Sequence, residues 1–163
     1  MVRQESEDFK LRLARQDDSA EVTLLQHAAY APNRAILGAE PLPLLVSYDK
    51  LIRAMEVWLA HGGGKLEGVL VLQPQDRQLL IWSVVTSVAS QSKGLGNHLL
   101  SKAESRAREL GLAKLVLYTG SLLTDRIAWY QRKGFTIERE EQLDDRNITH
   151  MGKFVTGPAH LSG

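Results

Sequence analysis

The stretch Val84-Val85-Thr86-Ser87-Val88-Ala89-Ser90-Gln91-Ser92-Lys93-Gly94-Leu95-Gly96-Asn97 gives the strongest indication of how this chain folds. It begins as an apolar run, which predicts a strand, and continues through a short polar loop. Gly94 and Gly96 then stand where a helix begins. The first amides of a helix have no partner inside the helix and carry partial positive charge, and glycines let a phosphate approach them closely. Because Lys93 adds a full positive charge beside them, the stretch predicts a binding site for a diphosphate.

Three anion-binding motifs combine a strand, a glycine-containing loop and a helix. A dinucleotide fingerprint needs a third glycine where Leu99 stands, and an acidic residue after the next strand, which ends at residues 118–120 without one. A Walker A loop needs Gly-Lys followed by Ser or Thr, which the chain lacks. The third motif, Gln/Arg-x-x-Gly-x-Gly/Ala, is matched by Gln91, Gly94 and Gly96. The alternative interpretation is that the two glycines only form the turn that enters the helix.

Periodicity in the rest of the chain predicts an α+β fold, in the order strand, helices, three strands, helix, strand, helix and two strands. The expected strands are 9–14, 56–61, 65–73, 78–87, 115–118, one starting at 134, and 148–155. The first expected helix ends near residue 30, and three others cover 44–55, 95–110 and 122–133. A proline-containing loop is expected at 31–43. Short connections make the strands from 56 to 87 antiparallel. Asp18 and Glu21 predict a capping box at the start of the first helix.

Composition narrows the class of protein. The 163 residues, with no internal repeat, predict a single domain over 1–163 with an ordered core at about 9–155. Twenty Lys plus Arg against 19 Asp plus Glu argue against a nucleic-acid-binding protein. The absence of cysteine excludes thiolate nucleophiles and sulfur-ligated zinc, and the spacing of the histidines predicts no metal site. No apolar run is long enough for a membrane span, and the polar N-terminus lacks a secretory signal, so we expect a cytoplasmic protein with no membrane partner.

A second motif, Tyr130-Gln131-Arg132-Lys133-Gly134-Phe135, ends the predicted helix at 122–133. Together with Gln91, Gly94, Gly96 and the order of elements, it makes residues 9–155 resemble the GNAT family, the GCN5-related N-acyltransferases. This resemblance implies a mixed, mostly antiparallel central sheet flanked by helices, and acetyl-CoA as co-substrate. It also implies an amine acceptor that is a small molecule or a peptide, with a homodimer as one option for assembly.

The resemblance also implies roles for individual residues in binding acetyl-CoA. Backbone groups of three strand residues would pair with the pantetheine arm, and the loop with the first helical turn would hold the pyrophosphate, mostly through backbone amides. The first set is Val84, Val85 and Thr86, and the second is Gln91, Ser92, Lys93, Gly94, Leu95, Gly96 and Asn97. Asp125 stands where similar proteins often have a cofactor-contacting Asn, and Gly120 where they often have another.

The expected chemistry is direct transfer of the acetyl group to a primary amine. A backbone amide, that of Val85, would polarise the thioester carbonyl, and Tyr130 would protonate the leaving thiolate. The alternative for Tyr130 is a core aromatic residue on the apolar helix face. Trp82 stands where similar proteins often have a Glu base, so His150 on the last strand becomes the candidate base. Asp125, an ordered water chain, or an acceptor that arrives uncharged are further options.

Two other expectations concern the acceptor and the alternative functions. The resemblance implies that the loop from Tyr30 to Pro43 shapes the acceptor site, with Arg34 and Glu40 as its charged candidates. We expect a solvated helix end for Arg126, Arg132 and Lys133, with contact to the ribose phosphate of the cofactor as the alternative. The departures at Trp82, Gly120 and Asp125 also leave open a regulatory module that binds acyl-CoA but has lost turnover. A structural interaction domain without a cofactor is the third alternative.

Overall fold

The computed structural model describes residues 10–155, and one seven-stranded sheet runs through them. The predicted first residue of the initial strand, Phe9, and the segment from Thr156 onward lie outside the described residues. None of the described helices is both long and apolar enough to cross a membrane.

The order of elements follows the sequence-based expectation. The strands are β1 (Lys10–Leu13), β2 (Glu56–Gly62), β3 (Lys65–Pro74), β4 (Leu79–Thr86), β5 (Lys114–Gly120), β6 (Thr136–Gln142) and β7 (Asn147–Phe154). The helices are α1 (Ser19–Tyr30), α2 (Asn33–Leu37), α3 (Tyr48–Ala54), α4 (Leu95–Glu109) and α5 (Thr124–Arg132). Short 3-10 turns cover Gln16–Asp18, Leu42–Leu44 and Val88–Lys93.

The sheet is mixed and mostly antiparallel, in the strand order β1-β2-β3-β4-β5-β7-β6. Its single parallel contact joins β4 to β5 and involves only two residue pairs, Leu79 with Leu115 and Leu80 with Val116. The remaining neighbours pair over longer antiparallel registers. This confirms the predicted fold class, and it leaves β4 without a strand partner on one side after residue 80.

Two apolar clusters cover the faces of the sheet. Side chains alternate between the faces of a strand, so neighbours such as Val84 and Val85 enter different clusters. The first cluster packs α4 and α5 on one face, and the second packs α1 and α3 on the other. Gly68 of β3 lets α4 approach closely, because a Cβ there would lie 2.9 Å from a methyl group of Leu95. The start of α4 is therefore fixed against the sheet.

Three local predictions were wrong. Residues 31–43 contain the helix α2 rather than only a loop, and the helix expected over 44–55 is shorter, as α3. The capping box also does not form, because the Asp18 side chain caps no amide of α1. Its carboxylate instead accepts two hydrogen bonds of 2.9 Å from Arg12 and one of 2.7 Å from the Arg15 amide. A nearby guanidinium competes better for a carboxylate than a neutral amide does.

We predict that Asp18 contributes to stability in a pH-dependent way. The hydrogen bonds from Arg12 lower the pKa of Asp18 from 3.8 to about 2, which corresponds to at most about 2 kcal/mol of stability. A lowered carboxylate pKa stabilises the fold above the unfolded-state value. The contribution should therefore be complete above about pH 4 and disappear as the pH falls toward 2.

The test is urea unfolding of Asp18→Asn against wild type. The variant should lose up to about 2 kcal/mol at pH 7, and the difference should shrink between pH 4 and pH 2. The neighbouring Asp17→Asn serves as control, because Asp17 is exposed. Equal stability losses for both variants, or a loss for Asp18→Asn that does not change with pH, would contradict the assignment.

Candidate active site

The site begins at the seam where β4 and β5 separate. The register of β4 with β3 shifts so that Val71 pairs with Ser83 and Leu72 with Ile81, which leaves Trp82 as a bulge residue. A bulge bends its strand and increases the local twist. Beyond it, β4 pairs with β3 alone.

Hydrogen bonds along β4 show which backbone groups face the open seam. The amide of Ser87 donates to the Glu67 carbonyl on β3, whereas the carbonyl of Val84 accepts a bond from a side chain in the seam. Because successive residues of a strand direct their backbone groups to opposite sides, Val84 and Thr86 face the seam and Val85 faces β3. The expectation that the Val85 amide polarises a thioester is therefore wrong, because that amide faces β3, whereas the Val84 amide faces the open seam.

The loop after β4 leads into α4, whose first residues lie beside the open edge of β4. Residues Val88–Lys93 form a 3-10 turn, and Gly94 takes a left-handed backbone conformation (φ 80°) that favours glycine. The first α-helical bond recorded for α4 runs from the His98 amide to the Gly94 carbonyl. No side chain caps this end. The first amides of α4 are thus available to a ligand.

A cleft of about 490 Å³ joins the open edge of β4 to the start of α4. We call it the long cleft. Among its lining residues are most of those expected to bind the cofactor, namely Val84, Val85, Thr86, Gln91, Gly94, Gly96 and Asn97. The other wall comes from the end of α1, with Ala29 and Tyr30, and from Trp129 of α5. Gly96 lies against Trp129, since a Cβ there would be 3.1 Å from the indole ring.

Other expected cofactor ligands lie elsewhere. Lys93 is exposed and does not line the long cleft, and the Leu95 side chain is fully buried in the core below α4. Asp125 is also exposed and lines neither this cleft nor the second cavity described below. Ser92 lies in the 3-10 turn. Only backbone groups of Leu95 remain candidates for ligand contact, because its side chain is fully buried.

A second, smaller cavity of about 80 Å³ lies on the other side of the seam, and we call it the small cavity. Trp82, Ser83, Tyr118 and Gly120 line it, together with residues of α2 and of the 3-10 turn Leu42–Leu44. Gly120 has a packing reason to lack a side chain, because a Cβ there would lie 2.5 Å from Leu37. Tyr30, Tyr130 and Arg126 also line this cavity.

Tyr130 is buried, with 4% of its surface exposed, and its ring packs edge-on against Trp129 and Phe135. Burial raises the pKa of Tyr130, and the nearby Arg126 opposes this shift only in part. The hydroxyl therefore stays protonated at neutral pH and can serve as a proton donor. Tyr130 is thus a core aromatic residue that also lines the small cavity, and its role as proton donor stays a prediction.

Arg126 occupies the seam itself. Its Nη2 donates a 2.6 Å hydrogen bond to the Val84 carbonyl and lies 3.5 Å from the Tyr130 hydroxyl. The guanidinium is 5.6 Å from the Tyr130 ring centre and 5.8 Å from that of Tyr30, on the opposite side of the sheet. Arg126 lines both the long cleft and the small cavity. The expectation of a solvated helix end is wrong for this residue.

A buried hydrogen-bond network holds Tyr30 at the seam. Tyr30 and Ser83 share a 2.9 Å bond, and Gln26 donates to Ser83 at 3.1 Å and to Tyr48 at 2.9 Å. Tyr48 in turn donates to the Pro43 carbonyl at 2.7 Å. Gln26 is fully buried, so its amide group depends on these partners. The network ties α1, α3 and the turn at Leu42–Leu44 to β4.

The remaining candidates do not reach the seam. His150 bonds to Glu141 at 2.8 Å and packs beside Tyr118, and it lines neither the long cleft nor the small cavity. Arg34 and Glu40 pair with each other at 2.6 Å on the surface instead of entering the small cavity. Sequence analysis misplaced Arg126 and missed Ser83, whereas it named Tyr30 only as the first residue of the loop expected at the acceptor site. A signal for Arg126 existed, since it precedes Tyr130 by four residues and shares its helix face.

Comparisons with known proteins agree with this geometry. Residues 23–135 match the family model of the acetyltransferase (GNAT) family. An uncharacterised N-acetyltransferase of Bacillus subtilis (strain 168), YvbK, is 31% identical over 106 residues. That alignment spans 63% of this chain and 66% of YvbK, just under two thirds of its length.

Solved structures show the same fold. A GNAT family acetyltransferase from Elizabethkingia anophelis with acetyl-CoA bound superimposes with a TM-score of 0.69 at 18% identity, covering 91% of this chain and 99% of that one. The PaiA N-acetyltransferase from Thermoplasma acidophilum in complex with coenzyme A gives a TM-score of 0.75 at 17% identity, with 90% and 98% covered. Because the family model spans more than half of the sequence, this chain belongs to the GNAT family of acetyltransferases.

Proposed function

We propose that this chain transfers the acetyl group of acetyl-CoA directly to a primary amine of a small molecule or peptide. The observation that carries the proposal is the meeting of two clefts at one seam. The long cleft ends where the small cavity begins, and Arg126 and Tyr130 stand between an unpaired strand edge and that cavity. A donor in the long cleft and an acceptor in the small cavity can therefore react at the seam.

The long cleft fits acetyl-CoA by its chemistry. The uncapped first turn of α4, with Gly94 and Gly96, supplies amide donors and partial positive charge for the pyrophosphate. The backbone groups of Val84 and Thr86 can pair with the amides of the pantetheine arm, as an added strand would. Several relatives in the same family were crystallised with acetyl-CoA or coenzyme A. These features support acetyl-CoA as the co-substrate.

Residues at the seam account for the proton transfers. The thioester supplies an activated acetyl group; its C–S bond breaks as the C–N bond to the amine forms. The Val84 amide faces the seam, where it can donate to the carbonyl oxygen. The Tyr130 hydroxyl holds a proton in an environment that raises its pKa, so it can protonate the departing thiolate and regain a proton from water.

The described residues that line the small cavity offer no carboxylate or imidazole that could act as the general base. No Asp, Glu or His lines it within residues 10–155. We therefore propose that the amine arrives uncharged. After its nitrogen has formed the C–N bond, the proton that it must lose leaves through water rather than to a side chain. This favours an acceptor whose amine loses its proton readily, and a transfer rate that rises with pH.

The first prediction concerns the pyrophosphate site. Gly94→Asp should weaken acetyl-CoA binding at least roughly tenfold, because it places a carboxylate beside the phosphates. Gly111→Asp is a matched control at the opposite end of α4, since Gly94 and Gly111 have left-handed φ values of 80° and 73° with open space for a side chain. Calorimetric titration of both variants measures the effect. Equal loss of affinity in the two, or none, would contradict the assignment.

The second prediction concerns proton donation. Tyr130→Phe should lower kcat by about 10²-fold or more while acetyl-CoA binding persists, because only the hydroxyl is removed. Release of free thiol over a panel of amines measures turnover, and titration with acetyl-CoA measures binding. Unchanged kcat in the variant would remove Tyr130 from the mechanism. Binding of acetyl-CoA by wild type without thiol release for any amine would instead favour a regulatory module.

A further inference from the structure

The walls of the small cavity are electropositive. Two arginines, Arg126 and Arg146, line it, and no carboxylate side chain does so in the described part of the chain. Arg146 already has a counter-charge, because its guanidinium forms a two-bond pair with Asp145 at 2.8 and 3.0 Å. Arg126 is therefore the arginine of this cavity whose positive charge no carboxylate of the described residues neutralises.

Arg126 differs from the other partly buried arginines that the structure describes in having no carboxylate partner. Five arginines between residues 10 and 155 are partly buried, and four of them pair with a carboxylate. These pairs are Arg12 with Asp18, Arg106 with Glu56, Arg108 with Glu104, and Arg146 with Asp145. Arg126 alone among these five has only a carbonyl and tyrosines around it. A partly buried cation without a counter-charge carries a desolvation cost that a bound anion would offset.

The place of Arg126 indicates which ligand brings the anion. The phosphates of the co-substrate are proposed to bind at the start of α4, whereas the guanidinium of Arg126 bonds to the Val84 carbonyl of β4 and also lines the small cavity. The small cavity, where the acceptor would bind, holds about 80 Å³, space for roughly five to eight water-sized groups. A cavity of this size suits the core of one amino acid.

We infer that the acceptor is a small amine that also carries a carboxylate, such as a free amino acid, and that Arg126 binds this carboxylate and selects for it. The inference rests on the proposed function and specifies its substrate class. A guanidinium matches a carboxylate with two parallel hydrogen bonds. Because Nη2 of Arg126 lies 3.5 Å from the Tyr130 hydroxyl, a carboxylate held there brings the adjacent amine to the seam.

The experiment compares matched acceptors in a thiol-release assay with saturating acetyl-CoA. The panel consists of the common L-amino acids, each with its C-terminal amide, the corresponding decarboxylated amine and, where one exists, the phosphonate analogue. We expect at least one acid to be acetylated with kcat/KM roughly tenfold or more above its amide and its amine. A phosphonate that outperforms its carboxylate, or amides and amines that equal or exceed every acid, would overturn the proposal.

Variants assign the preference to Arg126. In Arg126→Met the KM for the preferred acid should rise roughly tenfold or more, and its advantage over the amide should fall to about twofold or less. Arg126→Lys should keep part of the preference, because it retains a charge. Arg132→Met is the matched control, since Arg132 is an exposed residue of the same helix that lines neither cavity, and it should keep the wild-type preference. A preference that survives in Arg126→Met would overturn the proposal.

Thermal stabilisation by ligands separates the proposed acetyltransferase function from the proposed preference for a carboxylate. With coenzyme A present, the acids that bind should raise the melting temperature of wild type and not that of Arg126→Met, while their amides should raise neither. If acetyl-CoA itself gives no stabilisation, the proposed function fails. If acetyl-CoA binds and neutral amines are acetylated at least as well as every acid, the proposed function stands and the carboxylate preference is overturned. If no acid stabilises the protein, the carboxylate preference is overturned, and thiol release with the neutral amines decides whether the proposed function stands.

Discussion

The separation of β4 from β5 is the constraint on which the rest of the site depends. Two residue pairs hold these strands together at Leu79 and Leu80, and the bulge at Trp82 then bends β4 away. The separation leaves the backbone groups of Val84 without a strand partner, and it opens a passage between the two faces of the sheet. A sheet closed at this position would have neither a long cleft nor a place for Arg126.

The local parts of this arrangement could be predicted from the sequence. Gly94 signals a left-handed turn into a helix because that conformation is a property of the residue itself, and the structure has it there with φ of 80°. The order of strands and helices also follows from periodicity, which depends on neighbouring residues alone. The Tyr130-to-Phe135 motif, which reflects packing within one helix and the turn after it, indicated the family together with the glycine-containing loop and the order of elements.

The parts that depend on distant contacts could not be predicted. Whether the amide of Val84 or of Val85 faces the seam depends on the register with β3, and hence on the bulge at Trp82. Asp18 has the spacing of a cap, but Arg12 from the preceding strand competes for its carboxylate. Arg126 could be placed on a helix face by counting residues, yet only the assembled sheet shows that this face lies over an opening.

The hydrogen bond from Arg126 to the Val84 carbonyl connects the two halves of the proposed reaction. A pantetheine arm that pairs with β4 needs the same carbonyl, so the two donors compete for one acceptor. Occupation of the long cleft would then release a guanidinium donor toward the small cavity, where the lining supplies no carboxylate among the described residues. A carboxylate-bearing acceptor would then bind better after acetyl-CoA than before it. The order of binding would follow from a single shared backbone oxygen.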